Sequence, residues 1–354
     1  MKDPRKEMAD VVPYSIFNEG RREKVRLDLN ENAWGCSPRV IEVLRDVVPE
    51  DISLYPAYEP LIRKIAALNQ VEEEQLILSN GADDSIRCVF DAFAEKGDEV
   101  IIPVPNYGMF DIYSRIRGAN IVNVLYNDDF SFPTQRLLEK VTKKTKLIII
   151  VNPANPLATA IPENDLFEIL KTAKDSIILL DETYYHFINK SYTRFIKDFD
   201  NLIIVQTFSK AFGLTGLRLG MTFSQEQNIL NLKKVNLPFA VNSLALKAAE
   251  AALKDQNFVQ QVVENVKLEI EFLRNELEKL GLAVYTGYTN FILMKIGEKS
   301  DGIYHQLQRR NVLLRNLGKY PLLKGFLRVS VGKREDNIEL IKALKEIMGR
   351  ANES

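Results

Sequence analysis

The sequence predicts an α/β protein whose large domain holds a mostly parallel mixed sheet between helices, with a smaller α/β domain built from both chain ends. Two patterns lead to this fold class. Between residues 76 and 206, short runs rich in Ile, Leu and Val alternate with amphipathic stretches, which is typical of strands buried on both faces of a sheet. After Pro238 the chain becomes strongly helical, and this change indicates a second unit.

The first predicted elements lie before the large sheet. Alternating apolar residues over 25–29 predict a short strand. Ser37 followed by Pro38 predicts the N-cap and first turn of a helix that runs to about Val48. A second helix is predicted to end near Asn69.

The alternating region predicts the large sheet. LILS leads into the helix NGADDSIRCVFDAFAEKG, which ends at Gly97, and the strand EVIIPV leads into the helix NYGMFDIYSRIRG. NIVNVLY, KLIIIVN, SIILLD and NLIIVQTF are further predicted strands, with a helix over 163–174. This order favours right-handed crossovers, which place the carboxyl ends of the parallel strands at one edge of the sheet.

The C-terminal part is predicted to be a smaller α/β unit. It contains the helices SLALKAAEAALKD and NFVQQVVENVKLEIEFLRNELEKLG, short strands near 291–295 and 326–331, and a last helix over 335–349. Gly281 is predicted to end the long helix. We therefore divide the chain into an N-terminal segment that joins the small domain, 1–45, a large domain, 46–238, and a small C-terminal domain, 239–354.

The charge balance argues against partners that are bound through bulk charge. The chain of 354 residues has 47 basic and 48 acidic side chains, a formal net charge of −1. No long block of one sign occurs, so neither a nucleic acid nor a membrane surface is the expected partner.

The cysteines and the N-terminus favour a reducing, cytoplasmic setting. Cys36 and Cys88 are too few for a disulfide framework or a zinc cage. The charged N-terminus is not followed by an apolar signal core, and no apolar run approaches the length of a membrane span. His186 and His305, the two histidines, have no pattern of metal ligands around them, so no metal site is expected.

TFSKAFGLTGLRLG, residues 207–220, follows a predicted buried strand and carries Lys210. Open α/β sheets bind ligands at that end of a strand. Thr207, Ser209 and Arg218 surround the lysine in sequence, and hydroxyls with a guanidinium would hold a phosphate between the two cations. A lysine there could form a Schiff base with a carbonyl, if burial or Arg218 lowers its pKa.

Asp181 ends the predicted strand SIILLD and offers an acid at a neighbouring strand end. Neither G-x-x-x-x-G-K-[ST] nor G-x-G-x-x-G occurs, which argues against nucleotide binding. An acid facing a lysine could instead keep a pyridine nitrogen protonated. NPANPLA is either an ordinary turn or a source of amide donors, NGADDSI either a plain helix start or a phosphate seat, and Tyr107 in PNYGMF either core or a stacking ring.

Seven motifs together resemble a known family. LDLNENAWG, NGADDSI, PNYGMF, NPANPLA, DETYYHF, TFSKAFGLTGLRLG and FLRVSVGKRED occur in the order found in pyridoxal-phosphate-dependent aminotransferases of the aspartate aminotransferase fold type, class I/II. The closest likeness is to the histidinol-phosphate aminotransferase branch, and it covers about 13–349. Each motif is weak singly, but their ordered combination is specific.

The resemblance implies a role for each matching residue, with pyridoxal 5'-phosphate as cofactor. Lys210 would bind the cofactor covalently and move the substrate proton, Asp181 would pair with the ring nitrogen, and Tyr184 would bond the ring oxygen. The remaining cofactor-binding residues implied are Asn155, Tyr107, Thr207, Ser209, Arg218, Ala82 and Asp83, with Tyr55 reaching the cofactor of a neighbouring subunit. The substrate-side candidates are Arg328, Tyr14 and Asn32.

The same resemblance implies a homodimer with shared sites, an amino donor and a 2-oxo acid acceptor such as 2-oxoglutarate. One departure affects the substrate. Members of the branch usually have a second arginine early in the last helix, where this chain has Glu339, and Lys333 or Arg334 could replace it. Aspartate or aromatic aminotransferases, a threonine-phosphate decarboxylase and a non-catalytic cofactor-binding module are the alternatives.

Overall fold

The computed structural model describes residues 6–9, 11–14 and 20–350. The strands are β1 Val25–Arg26, β2 Leu76–Ser79, β3 Glu99–Val104, β4 Asn120–Leu125, β5 Thr145–Val151, β6 Ile177–Asp181, β7 Leu202–Thr207, β8 Gly220–Phe223, β9 Ala283–Tyr285, β10 Phe291–Lys295, β11 Val312–Leu313, β12 Arg315–Asn316 and β13 Phe326–Ser330. Short 3-10 turns cover Lys6–Met8, Arg21–Glu23, Glu73–Gln75, Thr193–Lys197 and Thr215–Leu217.

The helices alternate with these strands through the first two thirds of the chain. They are α1 Pro38–Arg45, α2 Pro49–Ser53, α3 Glu59–Asn69, α4 Ala82–Phe93, α5 Met109–Arg117, α6 Thr134–Leu138, α7 Glu163–Thr172, α8 Tyr185–Ile188, α9 Glu226–Val235, α10 Ser243–Leu253, α11 Gln256–Glu278, α12 Ser300–Arg309 and α13 Arg334–Arg350. None of the helices in the described part of the chain is both long and apolar enough to cross a membrane.

Seven strands form the large sheet in the order β2-β8-β7-β6-β5-β3-β4. All neighbours from β7 to β4 are parallel, whereas β8 is antiparallel to both β7 and β2. The predicted mostly parallel mixed sheet is therefore confirmed. Its central strands are almost completely buried because helices cover both faces.

The register of the central strands brings three strand ends to one edge. Val151 is opposite Asp181, and Asp181 is opposite Val205, so β5, β6 and β7 end side by side. Gly220 begins β8 opposite Thr207. A Cβ on Gly220 would lie 2.4 Å from the carbonyl carbon of Gly81, so only glycine lets the chain before α4 approach this edge.

The two chain ends meet beside the large sheet. β1 pairs in parallel with β11, and β12, β13, β10 and β9 form an antiparallel sheet. The backbone N–H of Ser330 donates to the carbonyl of Leu27 over 2.9 Å. These bonds hold the N-terminal segment on the C-terminal sheet.

Several element limits differ from the predictions for local reasons. The helix predicted to reach Val48 ends at Arg45, because Val48 precedes Pro49 and is extended, and a new helix starts at the proline. The helix predicted to end at Gly97 ends at Phe93, since Ala94 is already extended. β8, β9, β11, β12 and the helices α2, α6 and α8 were not predicted, because two to five residues carry too little periodicity. The ten-residue helix α9 was not predicted either.

Candidate functional site

A cavity of about 350 Å³ lies between the carboxyl edge of the large sheet and the C-terminal sheet. Strand ends, the start of α4 and the loop after β1 supply its walls. The lining residues are Tyr14, Leu29, Asn30, Ala82, Asp83, Ile86, Tyr107, Val151, Asn155, Asp181, Thr183, Tyr184, Thr207, Ser209, Lys210, Thr215, Arg218 and Arg328.

Lys210 lies on the floor of this cavity, three residues after β7 ends. Its Nζ donates to the carbonyl oxygens of Leu29 and Asn30, both at 3.2 Å. Burial, and after it the nearby Arg328 guanidinium, lower the pKa of Lys210 to about 8. The amine therefore loses its proton more easily than a surface lysine, as a nucleophile or a base requires.

Asp181 ends β6 and reaches the same cavity. The backbone N–H of Thr183 donates to its Oδ1 over 2.9 Å. Burial raises the pKa of Asp181 to about 6, although the Thr183 hydrogen bonds and Lys210 oppose this shift. A buried carboxylate that faces a cavity gains most from a cationic ligand group.

A phosphate-sized cradle lies at one side of the cavity. Thr207 and Ser209 share a hydrogen bond of 3.0 Å, and Arg218 Nη2 is 3.3 Å from Asp83. Gly81 precedes α4 with a φ of 85° and has no side chain to cap the helix. A Cβ on Gly81 would lie 2.8 Å from Arg218 Nη2. The helix start, two hydroxyls and a guanidinium are a donor set that suits a phosphate.

Tyrosines form the walls above Lys210. Tyr107 Oη donates to Asp83 over 3.0 Å, and its ring meets the Tyr14 ring edge-on with centroids 5.7 Å apart. Tyr184 Oη accepts from Asn30 Nδ2 over 2.8 Å. Burial raises the pKa of Tyr184 to about 12, so it remains a hydrogen-bond donor at neutral pH.

Two arginines are register partners on adjacent strands of the C-terminal sheet. Arg328 on β13 is directly opposite Arg315 on β12. Arg328 donates to Asn155 Oδ1 over 2.7 Å and to the Asp28 carbonyl over 2.6 Å, while its buried Nε has no partner among the described residues. Arg315 lies beside Tyr14, with its guanidinium carbon 5.3 Å from the ring centre and Nη2 3.3 Å from Oη.

The structure brings most of the predicted site residues into one cavity. They are Tyr14, Ala82, Asp83, Tyr107, Asn155, Asp181, Tyr184, Thr207, Ser209, Lys210, Arg218 and Arg328. Two predicted residues lie elsewhere. Asn32 donates to the Ala211 carbonyl over 3.0 Å and accepts from the Trp34 N–H. Tyr55 is 79% exposed and does not line the cavity of its own chain.

The residues considered as replacements for a second arginine do not reach the cavity. Lys333 is exposed, and Arg334 pairs with Glu269 on α11 at 2.9 Å. Arg315 approaches Arg328 instead, from a strand that sequence patterns did not predict. The only sequence signal is LLRN shortly before FLRVS, two short runs that could pair as antiparallel strands.

Other residues of the cavity were also missed from sequence. Asn30, Thr183 and Thr215 line it, and Thr215 Oγ1 donates to the Ser209 carbonyl over 2.6 Å. Asn30 and Thr183 lie in loops and Thr215 in a short 3-10 turn, so no periodicity singles them out. His186 packs edge-on against Phe212 at 4.9 Å and does not line the cavity. The described residues contain no group of three or more side chains placed to hold a metal ion.

This fold brings a buried lysine, a buried acid and a set of phosphate-type donors into one cavity. The family model "Aminotransferase class I and II" matches residues 22–344. A histidinol-phosphate aminotransferase of Caldanaerobacter subterraneus is 34% identical over 92% of this chain and 93% of its own.

Solved structures agree on the fold. The histidinol-phosphate aminotransferase of Sinorhizobium meliloti, in complex with pyridoxal-5'-phosphate, has a TM-score of 0.91 at 23% identity, covering 99% of both chains. An L-threonine-O-3-phosphate decarboxylase of Porphyromonas gingivalis has a TM-score of 0.79 at 20% identity, covering 91% of this chain and 99% of its own.

The chain belongs to the class I and II aminotransferase family. It is an enzyme of pyridoxal-phosphate-dependent transamination, as the ordered motifs predicted.

Proposed function

We propose that this enzyme transfers the amino group of a phosphorylated amino donor, histidinol phosphate, to a 2-oxo acid such as 2-oxoglutarate. The observation that carries this proposal is the arginine pair. Arg315 and Arg328 stand directly opposite on neighbouring strands beside the cavity of Lys210. Like charges in opposed positions destabilise a sheet unless an anion lies between them.

A phosphate monoester fits this pair better than a single carboxylate does. It carries a charge of about −1.5 to −2 at pH 7 and three acceptor oxygens. Arg328 donates from one hydrogen of each Nη, to Asn155 and to Asp28, and its buried Nε has no partner among the described residues. Donors of the guanidinium therefore remain for a ligand, while Arg315 lies on the Tyr14 side. Curated relatives over 30% identical are histidinol-phosphate aminotransferases, which supports the same substrate.

The residues of the cavity fit pyridoxal 5'-phosphate. Thr207, Ser209, Arg218 and the first turn of α4 would hold its phosphate, Asp181 its ring nitrogen, and Tyr184 with Asn155 its ring oxygen, with Tyr107 against the ring. When bound, the cofactor withdraws electrons from the substrate carbon that bears the amino group. A positive ring nitrogen would compensate the burial of Asp181, whose pKa is raised to about 6 without it.

Lys210 would move the proton of that carbon. Its pKa, lowered to about 8, lets Nζ become neutral at a modest cost near neutral pH. The carbonyls of Leu29 and Asn30 hold the amine at the cavity floor, 3.2 Å away. Nζ can therefore take the proton and return it without leaving the site.

Steady-state rates with a panel of donors test the substrate. We expect kcat/KM for histidinol phosphate to exceed those for histidinol, L-aspartate and L-phenylalanine by about 10²-fold or more, because only the first donor presents a dianion to both arginines. A preference for aspartate or phenylalanine would overturn the proposal in favour of those aminotransferases. Release of CO2 from phosphothreonine without amino transfer would identify the decarboxylase instead.

We also propose that the enzyme is a homodimer with shared sites. Tyr55 stacks on Phe239 with ring centroids 4.1 Å apart. Both rings are exposed, as are Ile52, Leu54 and Leu237, and such an apolar patch favours a protein partner. Tyr55 on this patch would reach the cofactor phosphate of the second subunit.

Mixed dimers test this arrangement. Lys210→Ala and Tyr55→Ala chains are each expected to be defective, but a mixed dimer has one site with both native residues. Equal mixing should therefore restore about a quarter of wild-type activity for a two-fold dimer. If Tyr55 serves the site of its own chain, or if the protein is a monomer, mixing restores none.

The cytoplasm is the compartment that fits the cysteines. Cys36 and Cys88 are both free thiols, and unpaired cysteines are typical of reducing compartments. Fractionation of the native cells with an antibody to this chain checks the assignment, and recovery from the periplasm would contradict it.

A further inference from the structure

A second cavity, also defined by side chains of the large domain and of the C-terminal part, opens beside the first. Its volume is about 370 Å³, and Tyr14 and Tyr107 line both cavities. The edge-on pair of tyrosines thus borders both cavities. Arg315 and Lys319 lie on one side of it, and Asn106 with apolar residues such as Ile102 on the other.

Asn106 is the unusual group in this second cavity. The residue is 7% exposed. Its Oδ1 accepts from the backbone N–H of Tyr107 over 2.7 Å, which fixes the orientation of the amide. Its Nδ2 is buried and has no hydrogen-bond partner in the described part of the chain. A buried donor without a partner carries an uncompensated desolvation cost, so a ligand that accepts from it would bind with a corresponding gain.

The proposed substrate has a group that fits this donor. The carbon that bears the amino group in histidinol phosphate carries two arms, a phosphate ester and an imidazole ring. If the arginine pair binds the phosphate, the ring arm remains, and the second cavity offers apolar residues such as Ile102 and the unpartnered amide of Asn106. A neutral imidazole presents one nitrogen as an acceptor.

We infer that Asn106 is a specificity-determining residue that donates from Nδ2 to the acceptor nitrogen of the substrate ring in the second cavity. This inference rests on the proposed function. Asn106 contacts the side chain of the substrate and not the reacting carbon, so it selects the donor and leaves the proton transfer by Lys210 unchanged.

The affinities of two matched phosphate esters test the inference without catalytic turnover. Calorimetry compares imidazolylpropyl phosphate with phenylpropyl phosphate, whose chains match that of histidinol phosphate in length, on the cofactor-loaded protein. The wild type should bind the imidazole compound at least about 10-fold more tightly, the effect of one buried hydrogen bond. Asn106→Leu should abolish this preference while its affinity for the phenyl compound stays within about twofold of the wild type.

A matched control variant lies in the same cavity. Asn123 lines it as well but is exposed, so Asn123→Leu should keep the full preference. Equal weakening of both ligands by Asn106→Leu would show that the amide only shapes the loop before Tyr107, and would overturn the inference. An unchanged preference in Asn106→Leu would overturn it too.

The pH dependence of the preference separates Asn106 from the acid in the same cavity. Asp111 also lines it, with Arg315, Lys319, Tyr14, Tyr107 and Tyr320 as the other titratable groups. Protonation of the imidazole, near pH 6.5, removes the acceptor nitrogen. The preference should therefore fall below that pH, whereas recognition by the Asp111 carboxylate would make it rise and would contradict the assignment.

The outcomes keep this inference apart from the proposed function. If the protein binds both phosphates with the expected preference but does not transaminate histidinol phosphate, the proposed function fails and the role of Asn106 stands. If histidinol phosphate is a good donor and Asn106→Leu leaves its kcat/KM and the ring preference unchanged, the inference fails alone.

Discussion

Asp181 and Glu182 are adjacent buried acids at one strand end, yet their surroundings differ. Glu182 is completely buried and accepts from the Ser191 hydroxyl at 2.6 Å, the Tyr192 N–H at 2.7 Å and the Gln206 amide at 2.8 Å. Asp181 faces the cavity. Burial is the largest cause of the raised pKa of both, to about 6 for Asp181 and about 7 for Glu182. Shifted pKa values alone therefore do not distinguish a structural acid from a functional one.

The same contrast occurs among the arginines. Arg334 pairs with Glu269, which also accepts from Asn337 over 2.8 Å, so its charge is neutralised within the fold. Arg328 is buried against neutral acceptors and has Arg315 opposite it. A buried cation held by neutral acceptors, such as Arg328, indicates a ligand site, whereas the pair of Arg334 with Glu269 holds two elements together.

Among the residues assigned to the ligand site, replacement of Lys210 should cause the largest loss of activity. Lys210→Ala is expected to lower kcat by about 10⁴-fold or more, because both the tether and the base are lost. Lys190→Ala, which breaks a surface ion pair of 2.8 Å with Glu163, is the control and should leave kcat within about twofold. Residual turnover within about 10-fold of the wild type in Lys210→Ala would exclude Lys210 as the base.

Replacing each acid by its amide compares the cavity-facing Asp181 with the internally bonded Glu182 directly. Asp181→Asn should lower kcat by about 10²–10³-fold, as expected for loss of one preorganised charge, with little change in stability, since the amide oxygen still accepts from Thr183. Glu182→Gln should leave kcat nearly unchanged but lower the free energy of unfolding by about 1–3 kcal/mol, because its amide opposes a donor. Denaturant titrations and rates on both variants check this, and exchanged outcomes would reverse the assignment.

Replacing Arg315 or Arg334 tests which of the two arginines contributes to use of the substrate. Arg315→Ala should lower kcat/KM for histidinol phosphate by about 10²-fold, with a much smaller change for the 2-oxo acid half of the reaction. Arg334→Ala removes the ion pair with Glu269 and should affect only thermal stability. Equal losses of kcat/KM in both variants would show that Arg315 has no special relation to the donor.

The smallest expected effect is the contribution of Lys210 to the pH dependence of the free energy of unfolding. The pKa of Lys210 is lowered to about 8 in the folded protein and is about 10.4 in an unfolded chain. The unfolded state therefore binds more protons between these values, so stability increases as pH rises through this interval. The cofactor-free wild type should gain about 2 kcal/mol relative to Lys210→Met between pH 8 and 10.5. A constant difference across that range would mean that the amine is not buried.

Sequence patterns predicted the site residues that lie at or just after the end of a single strand. Asp181, Thr207 and Lys210 each follow a buried apolar run, and parallel strands bring such ends to one edge. Arg315, Asn30 and Asn106 were missed because their role depends on contacts between separate elements. Arg315 needs the β12–β13 pairing, and Asn106 differs from any loop asparagine only by its burial. Local hydrophobic periodicity predicts neither the strand pairing of Arg315 nor the burial of Asn106.

The half-reaction without a 2-oxo acid is the most direct measurement of the proposed chemistry. The cofactor-loaded protein is mixed with histidinol phosphate, and the carbonyl product and the visible absorption band of the lysine-bound cofactor are followed together. One product per site should form as the band disappears, and 2-oxoglutarate should then restore it; Lys210→Ala should do neither. Absence of a product from histidinol phosphate, while L-aspartate bleaches the band, would contradict transamination of a phosphorylated donor.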